Sequence, residues 1–109
     1  MNKIIKTANR SPEMTLEKYK QIIISCDEKI RCNPRDELSH IERGDAQICL
    51  GNPQDALSNY KQAIQINPKS IKAYYGIATA HVILEKYSHA TAEILKAMEI
   101  EEQQDTKNK

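Results

Sequence analysis

The chain has 109 residues, enough for one small domain, and its net charge of +1 comes from interspersed acids and bases, which leaves no strong field to recruit nucleic acid or an anionic membrane. Apolar residues make up 39% and charged residues 28%, as in a soluble globular chain, while aromatics reach only 5% with no Trp or Phe, so the core must be aliphatic and rich in alanine. Apolar runs such as Ile22–Ile24 are far too short to span a bilayer, and "MNKIIKTANR" offers only Ile4 and Ile5 where a secretory signal needs an apolar core.

Residues 1–11 are polar, show no long periodic pattern and read as a flexible leader. "SPEM" then reads as a helix start, with Ser11 as N-cap, Pro12 at the first helical position and Glu13 beside the positive end of the dipole. Leu16, Tyr19, Ile22, Ile23, Cys26 and Ile30 recur at three- and four-residue steps and form one helical face. Asn33-Pro34 stops that helix. A second helix is expected from about Asp36 to Leu50, with Asp36 as cap. Gly51 suits the left-handed C-terminal position, and Asn52 caps a third helix with Pro53 in its first turn. The third helix carries Ala56, Leu57, Tyr60, Ala63 and Ile64 on one face and ends at Asn67-Pro68. Ser70 caps a fourth, about 71–84, with Tyr74, Ile77, Ala78, His81 and Leu84 toward the core. "LEKYS" is a tight connection without Gly or Pro, and a fifth helix follows over about 87–102. The polar "EEQQDTKNK" is expected to fray, with a disordered tail at 105–109. No alternating strand pattern occurs, so the fold class is all-α with about five helices.

The two Asn-Pro stops lie 68 − 34 = 34 residues apart. Overlaying 37–70 on 71–104 puts Gly44 on Ala78, Ala56 on Ala90 and Ala63 on Ala97. Tyr60 falls on Ile94, Ile64 on Met98 and Ile66 on Ile100. Small residues recur where two helices must approach closely, and large ones where space remains to be filled, which is the mark of a helical solenoid. Gly44, Ala56, Tyr60, Ala63 and Pro68, matched downstream by Tyr74, Ile77, Ala78, Tyr87, Ala90 and Ala97, resemble the tetratricopeptide repeat, a helix–turn–helix unit of 34 residues. "LEKYSHA" is similar to that family's inter-helix turn. The resemblance implies a right-handed superhelix of helical hairpins over 12–104: a partial unit at 12–36, then full units at 37–70 and 71–104.

Three departures stand out. His40, Arg43 and Gln47 occupy positions where the family carries large apolar residues; the face is either partly solvated or Arg43 pairs with an acid such as Asp27 or Glu28. Glu102 replaces a second terminal proline, which leaves the last helix free to run on. Ile22 and Lys29 replace the small residues expected of a first unit.

The resemblance implies that function lies on a concave surface formed by the first helix of each unit. On the second helix Leu38, Ile41, Asp45, Ile48 and Cys49 share an arc, with Glu42 beside it; on the fourth, Lys72, Tyr75, Thr79, Val82 and Ile83 lie opposite the core set. The candidate partner-binding groove is therefore Leu38, Ile41, Glu42, Asp45, Ile48, Lys72, Tyr75, Thr79 and Val82, an apolar stripe with a charged rim. Three occupants fit such a stripe: a peptide or helix of another protein, a second copy of the chain, or the leader 1–11. A clamp for chaperone C-terminal carboxylates needs Lys or Arg with Asn on these faces, but Glu42, Asp45, Gly76 and Thr79 stand there and only Lys72 fits. Glu42 and Asp45 point instead to a partner segment with Lys or Arg next to apolar residues. The expected function is a non-catalytic interaction module of adaptor, scaffold or co-chaperone-like kind. The competing class is a self-associating structural module. Cys26, Cys32 and Cys49 lack any CxxC spacing and read as reduced thiols of a cytoplasmic protein, while the three histidines show no ligand spacing. No cofactor, metal, nucleic acid or membrane insertion is expected, and no nucleophile turn places a catalytic constellation.

Overall fold

The computed structural model describes residues 12–107, with side chains from Thr15 onward. Five helices follow one another: α1 (Pro12–Cys32), α2 (Glu37–Cys49), α3 (Pro53–Ile66), α4 (Ile71–Ile83) and α5 (Tyr87–Lys107). No strand occurs among the described residues. The leader and its expected cap Ser11 lie outside them. Each helix packs on the next, and α2 also touches α4. The result is two layers, α2 and α4 on one side and α1, α3 and α5 on the other, in an elongated body of 51 × 36 × 31 Å.

The Asn-Pro joint is built twice in the same way. Asn33 Oδ1 accepts from the Arg35 N–H at 3.2 Å, and Asn67 Oδ1 accepts from the Lys69 N–H at 3.0 Å. These Asx turns replace the helix bonds that proline forbids. Each joint then delivers a cap. Asp36 accepts from the Ser39 N–H at 3.2 Å, and Ser70 Oγ accepts from the Ala73 N–H at 3.3 Å. The Ser39 hydroxyl, which donates to Asp36 at 2.8 Å, and the Ser39 N–H together hold the Asp36 carboxyl below its ordinary pKa. The upper turns also repeat. The Gly51 and Asn52 N–H groups bond to Ile48 and Gln47 carbonyls, and Glu85 and Lys86 do the same to Val82 and His81. This closure needs a left-handed residue, which Gly51 supplies at φ 79° and Glu85, 34 residues on, supplies at φ 61°. Asn52 does not cap α3 through its side chain; its Nδ2 donates instead to Gln47 Oε1 at 2.9 Å.

The core is alanine-rich, as composition requires. Ala56, Ala63, Ala73, Ala80 and Ala97 are fully buried or nearly so. Ala73 and Ala80 join the core beside Ile77, where α4 packs between α3 and α5; Leu84 is half-buried against that core and Tyr74 is half-buried. Tyr60 is the large side chain at the centre, 1% exposed. Its ring lies against two glycines: a Cβ on Gly44 would meet it at 2.7 Å and one on Gly76 at 2.5 Å. Two helices thus converge on one ring, and burial of such a side chain contributes about 1.5–3 kcal/mol.

The polar positions at the α1–α2 contact are mostly paired, although buried His40 Nδ1 has no hydrogen-bond partner among the described residues. Arg43 donates through Nε to Asn59 Oδ1 at 2.8 Å and through its guanidinium to Asp27 at 2.5 Å, which ties α1, α2 and α3 together. The ion pair is partly exposed, so its own contribution is below about 1 kcal/mol. His40 is buried and donates from Nε2 to the Pro34 carbonyl at 3.0 Å. α5 continues through Lys107, past Glu102 and into the stretch read as a tail, since no proline stops it.

Candidate functional site

α2 and α4 pack side by side and leave a groove of about 450 Å³ between their outward faces. Leu38, Ile41, Glu42 and Asp45 line it from α2, and Lys72, Tyr75, Gly76 and Thr79 from α4. These are i, i+3 and i+4 steps on each helix, so one stripe of each faces the other. Seven of the candidates read from sequence therefore share one depression: Leu38, Ile41, Glu42, Asp45, Lys72, Tyr75 and Thr79. Ile48 and Val82 do not join them. Ile48 is half-buried against the core, and Val82 is exposed outside the groove. Ile41 was expected as an exposed anchor but is a core residue, 5% exposed, that reaches the groove only as its floor. The reason is that α4 packs over the edge of the α2 arc and covers it. Leu38 and Tyr75 remain the accessible apolar groups, 53% and 38% exposed.

The groove carries the carboxylates of Glu42 and Asp45 and one cation, Lys72, and Glu101 of α5 reaches it through Tyr75. Asp45 Oδ1 accepts the Tyr60 hydroxyl at 2.5 Å, so the buried ring and the groove wall are linked by one bond. Burial and that carboxylate push the Tyr60 phenol far above its ordinary pKa. Tyr75 donates to Glu101 of α5 at 3.0 Å, which fixes its ring across the groove end and raises its pKa. Among the described residues, Glu42 accepts only from the Cys26 thiol, at 4.0 Å. Among the described residues, no basic group forms a salt bridge with Glu42 or Asp45.

A second, smaller slot of about 250 Å³ adjoins the first on the α1 side. Tyr19 and Ile22 of α1 and Ala46 and Cys49 of α2 form it, and Glu42 and Asp45 wall both spaces. Cys49 therefore faces this slot, beside Tyr19, rather than the α2–α4 groove. Sequence reading missed the slot because Tyr19 and Ile22 count as core in a helical wheel. The usable signal was Ile22 itself, a bulky residue where a complete unit would need a small one. A larger cleft of about 530 Å³ lies under the overhanging end of α5, beside Lys69 and Ile100. No group of three or more His, Cys, Asp or Glu among the described residues is placed to hold a metal, and none of their helices is long and apolar enough to cross a membrane.

Comparison with known proteins agrees with this geometry. The TPR repeat model matches residues 44–83, and the tetratricopeptide repeat model matches 71–104. Human tetratricopeptide repeat protein 12 is 27% identical over 75 residues, 66% of this chain and 11% of that protein. Human superkiller complex protein 3 is 28% identical over 75 residues, 69% of this chain and 5% of its own length. The chain thus spans a small fraction of both relatives. Among solved structures, MamA superposes with a TM-score of 0.79 at 22% identity over 85% of this chain and 54% of its own. The TPR2B domain of yeast Sti1, in a complex with an Hsp70 peptide, gives 0.78 at 22% over 85% and 74%. The second TPR of Spaghetti (RPAP3), bound to the HSP90 peptide SRMEEVD, gives 0.73 at 22% over 76% and 77%. These likenesses establish an all-α helical-hairpin solenoid, and with the repeat matches they show that the chain belongs to the tetratricopeptide repeat family.

Proposed function

We propose that the chain is a non-catalytic protein-interaction module, of adaptor or scaffold kind, that holds a peptide or helix of a partner in the α2–α4 groove. The observation that carries this reading is the convergence of Leu38 and Tyr75 with Glu42 and Asp45 in one depression. Apolar anchors beside carboxylates without an ion-pair partner among the described residues suit a segment in which Lys or Arg sits next to apolar side chains. Two structural neighbours hold chaperone-derived peptides, which supports a peptide-binding mode for the fold. The charge of this groove argues against the same ligands: SRMEEVD carries three acids, which Glu42 and Asp45 would repel. The free thiols Cys26, Cys32 and Cys49 suit the reducing cytoplasm.

A random-peptide library panned on the full chain tests this. Enrichment of Lys or Arg beside Leu, Ile or Val, lost in a Leu38→Ser/Glu42→Lys variant, is the expected outcome. Enrichment of acidic peptides, or a selection unchanged in that variant, contradicts it. A second reading, self-association, is favoured by α5, where Tyr87, Leu95 and Met98 are exposed at 61%, 60% and 53%. Light scattering across a concentration series, with Leu95→Glu/Met98→Glu as control, separates the two.

A further inference from the structure

We infer that the α2–α4 groove reads an extended segment in which an acidic side chain stands three or four residues from the Lys or Arg, the acid held by Lys72 and the cation by Glu42 and Asp45. The inference rests on the peptide-binding reading above and adds a second charge, a spacing and the residue that sets both. The groove is not uniform along its length. The 34-residue offset puts Leu38 level with Lys72, Glu42 with Gly76 and Asp45 with Thr79. Leu38 and Lys72 thus mark one end, Asp45 and Thr79 the other, and Glu42 lies between them.

Nothing in α4 itself accounts for Lys72. It is exposed in the first turn, where the positive end of the helix dipole disfavours a cation. Glu101, which meets the groove one turn on, accepts from the Tyr75 hydroxyl at 3.0 Å, and Glu37, next to Leu38, accepts from Asn67 Nδ2 at 3.1 Å. Among the described residues Lys72 forms no salt bridge, and neither Glu42 nor Asp45 does. Opposite charges that share one groove without meeting suit a ligand of the complementary pattern. Geometry sets its spacing. With four or seven residues of rise between them and helix axes about 9 Å apart, Lys72 stands about 11 Å from Glu42 and about 14 Å from Asp45. An extended chain covers that in three or four residues, at about 3.3–3.6 Å each. A helix fills about 800–1,100 Å³ over the same length, roughly twice the groove's 450 Å³, so the extended form is the one that fits. Apolar side chains between the two charges then meet the exposed Leu38 and Tyr75.

A peptide array probed with the labelled full chain tests this. Each peptide is amidated, so that any carboxylate belongs to a side chain. Each carries one Arg among Leu, Val and Ser, with Glu, Ala or Lys placed at successive offsets from the Arg. Glu is expected to bind about fivefold better than Ala at offsets of three and four only, the upper range for an exposed ion pair. Lys72→Glu suits the α4 dipole and keeps the helix, and it is expected to move the preference at those offsets from Glu to Lys. A Glu effect at every offset, at none, or unchanged in Lys72→Glu overturns the inference. With Arg still required, and required only while Glu42 is present (Glu42→Lys as control), such a failure strikes the pairing with Lys72 alone. Loss of the Arg requirement strikes the groove reading with it.

Discussion

α3 and α5 carry the same repeat pattern and meet different fates. Ala56 and Ala63 on α3, and Ala90 and Ala97 on α5, are all buried. The large positions diverge. Tyr60 is 1% exposed, whereas its counterpart Ile94 is 37% exposed; Ile64 is packed against the core, whereas Met98 stands in solvent. The alanines face the helix of their own hairpin, which both α3 and α5 possess. The large residues face the next unit, which α3 finds in α4 and α5 does not find among the described residues. A repeat position therefore fixes a direction, and the neighbour decides whether that direction is core or surface. α1 is the opposite case: it has the following helix α2 but no first helix of its own among the described residues.

Substitution at the paired large positions should break this comparison most visibly. Tyr60→Ala is expected to cost about 3–5 kcal/mol, against below about 1 kcal/mol for Ile94→Ala. Urea unfolding followed by circular dichroism measures both, and equal losses would mean that α5 is covered in solution. Next in size is Gly76→Ala, where the new Cβ would stand 2.5 Å from the Tyr60 ring. Overpacking there should cost about 1–3 kcal/mol, visible as a lower unfolding midpoint, while exposed Thr79→Ala stays within about 0.5 kcal/mol.

The two upper turns offer a finer test. Gly51 and Glu85 hold the same left-handed conformation, and a Cβ on Gly51 meets nothing within 4 Å. Gly51→Ala should thus destabilise by about 1 kcal/mol through backbone strain alone, and Glu85→Gly should stabilise by less than about 1 kcal/mol. Opposite signs of the shift in thermal midpoint are the expected result.

The smallest effect is the response to pH. Burial and the neighbouring His89 ring, 5.3 Å away, hold the His81 pKa below its ordinary 6.5. The folded state favours neutral His81, so its contribution is present above pH 6.5 and is lost as pH falls through the folded value. Tyr60 has the opposite sign: its raised pKa keeps the contribution below the unfolded value of 10.0 and loses it as pH rises beyond that. Denaturant titrations at pH 7, 5 and 10.5, with His89→Ala and Tyr60→Phe as controls, check both slopes.

Helix order, both Asn-Pro joints, the Asp36 and Ser70 caps and the alanine crossings were legible from sequence, since each depends on local chemistry or on the 34-residue offset. Gly76 was legible as a groove position but not as the seat of the Tyr60 ring, because that contact joins two units. Ile41 was misplaced for a related reason. A helical wheel gives its direction within α2, and only the packing of α4 shows that this direction is covered. A charge placed at Ile41 would therefore test the core rather than the groove, and Leu38 and Tyr75 are the residues to change. The tail at 105–107 was read from polarity, which says nothing against a helix that no proline interrupts.

The most direct measurement of the groove reading is amide chemical-shift mapping of the labelled full chain with a library-selected Lys- or Arg-containing apolar peptide. Shifts concentrated at Leu38, Glu42, Asp45, Tyr75, Gly76 and Thr79, and abolished by Leu38→Ser/Glu42→Lys, are the predicted result. Shifts confined to Tyr87, Leu95 and Met98 on α5, with the α2–α4 groove unmoved, would contradict it.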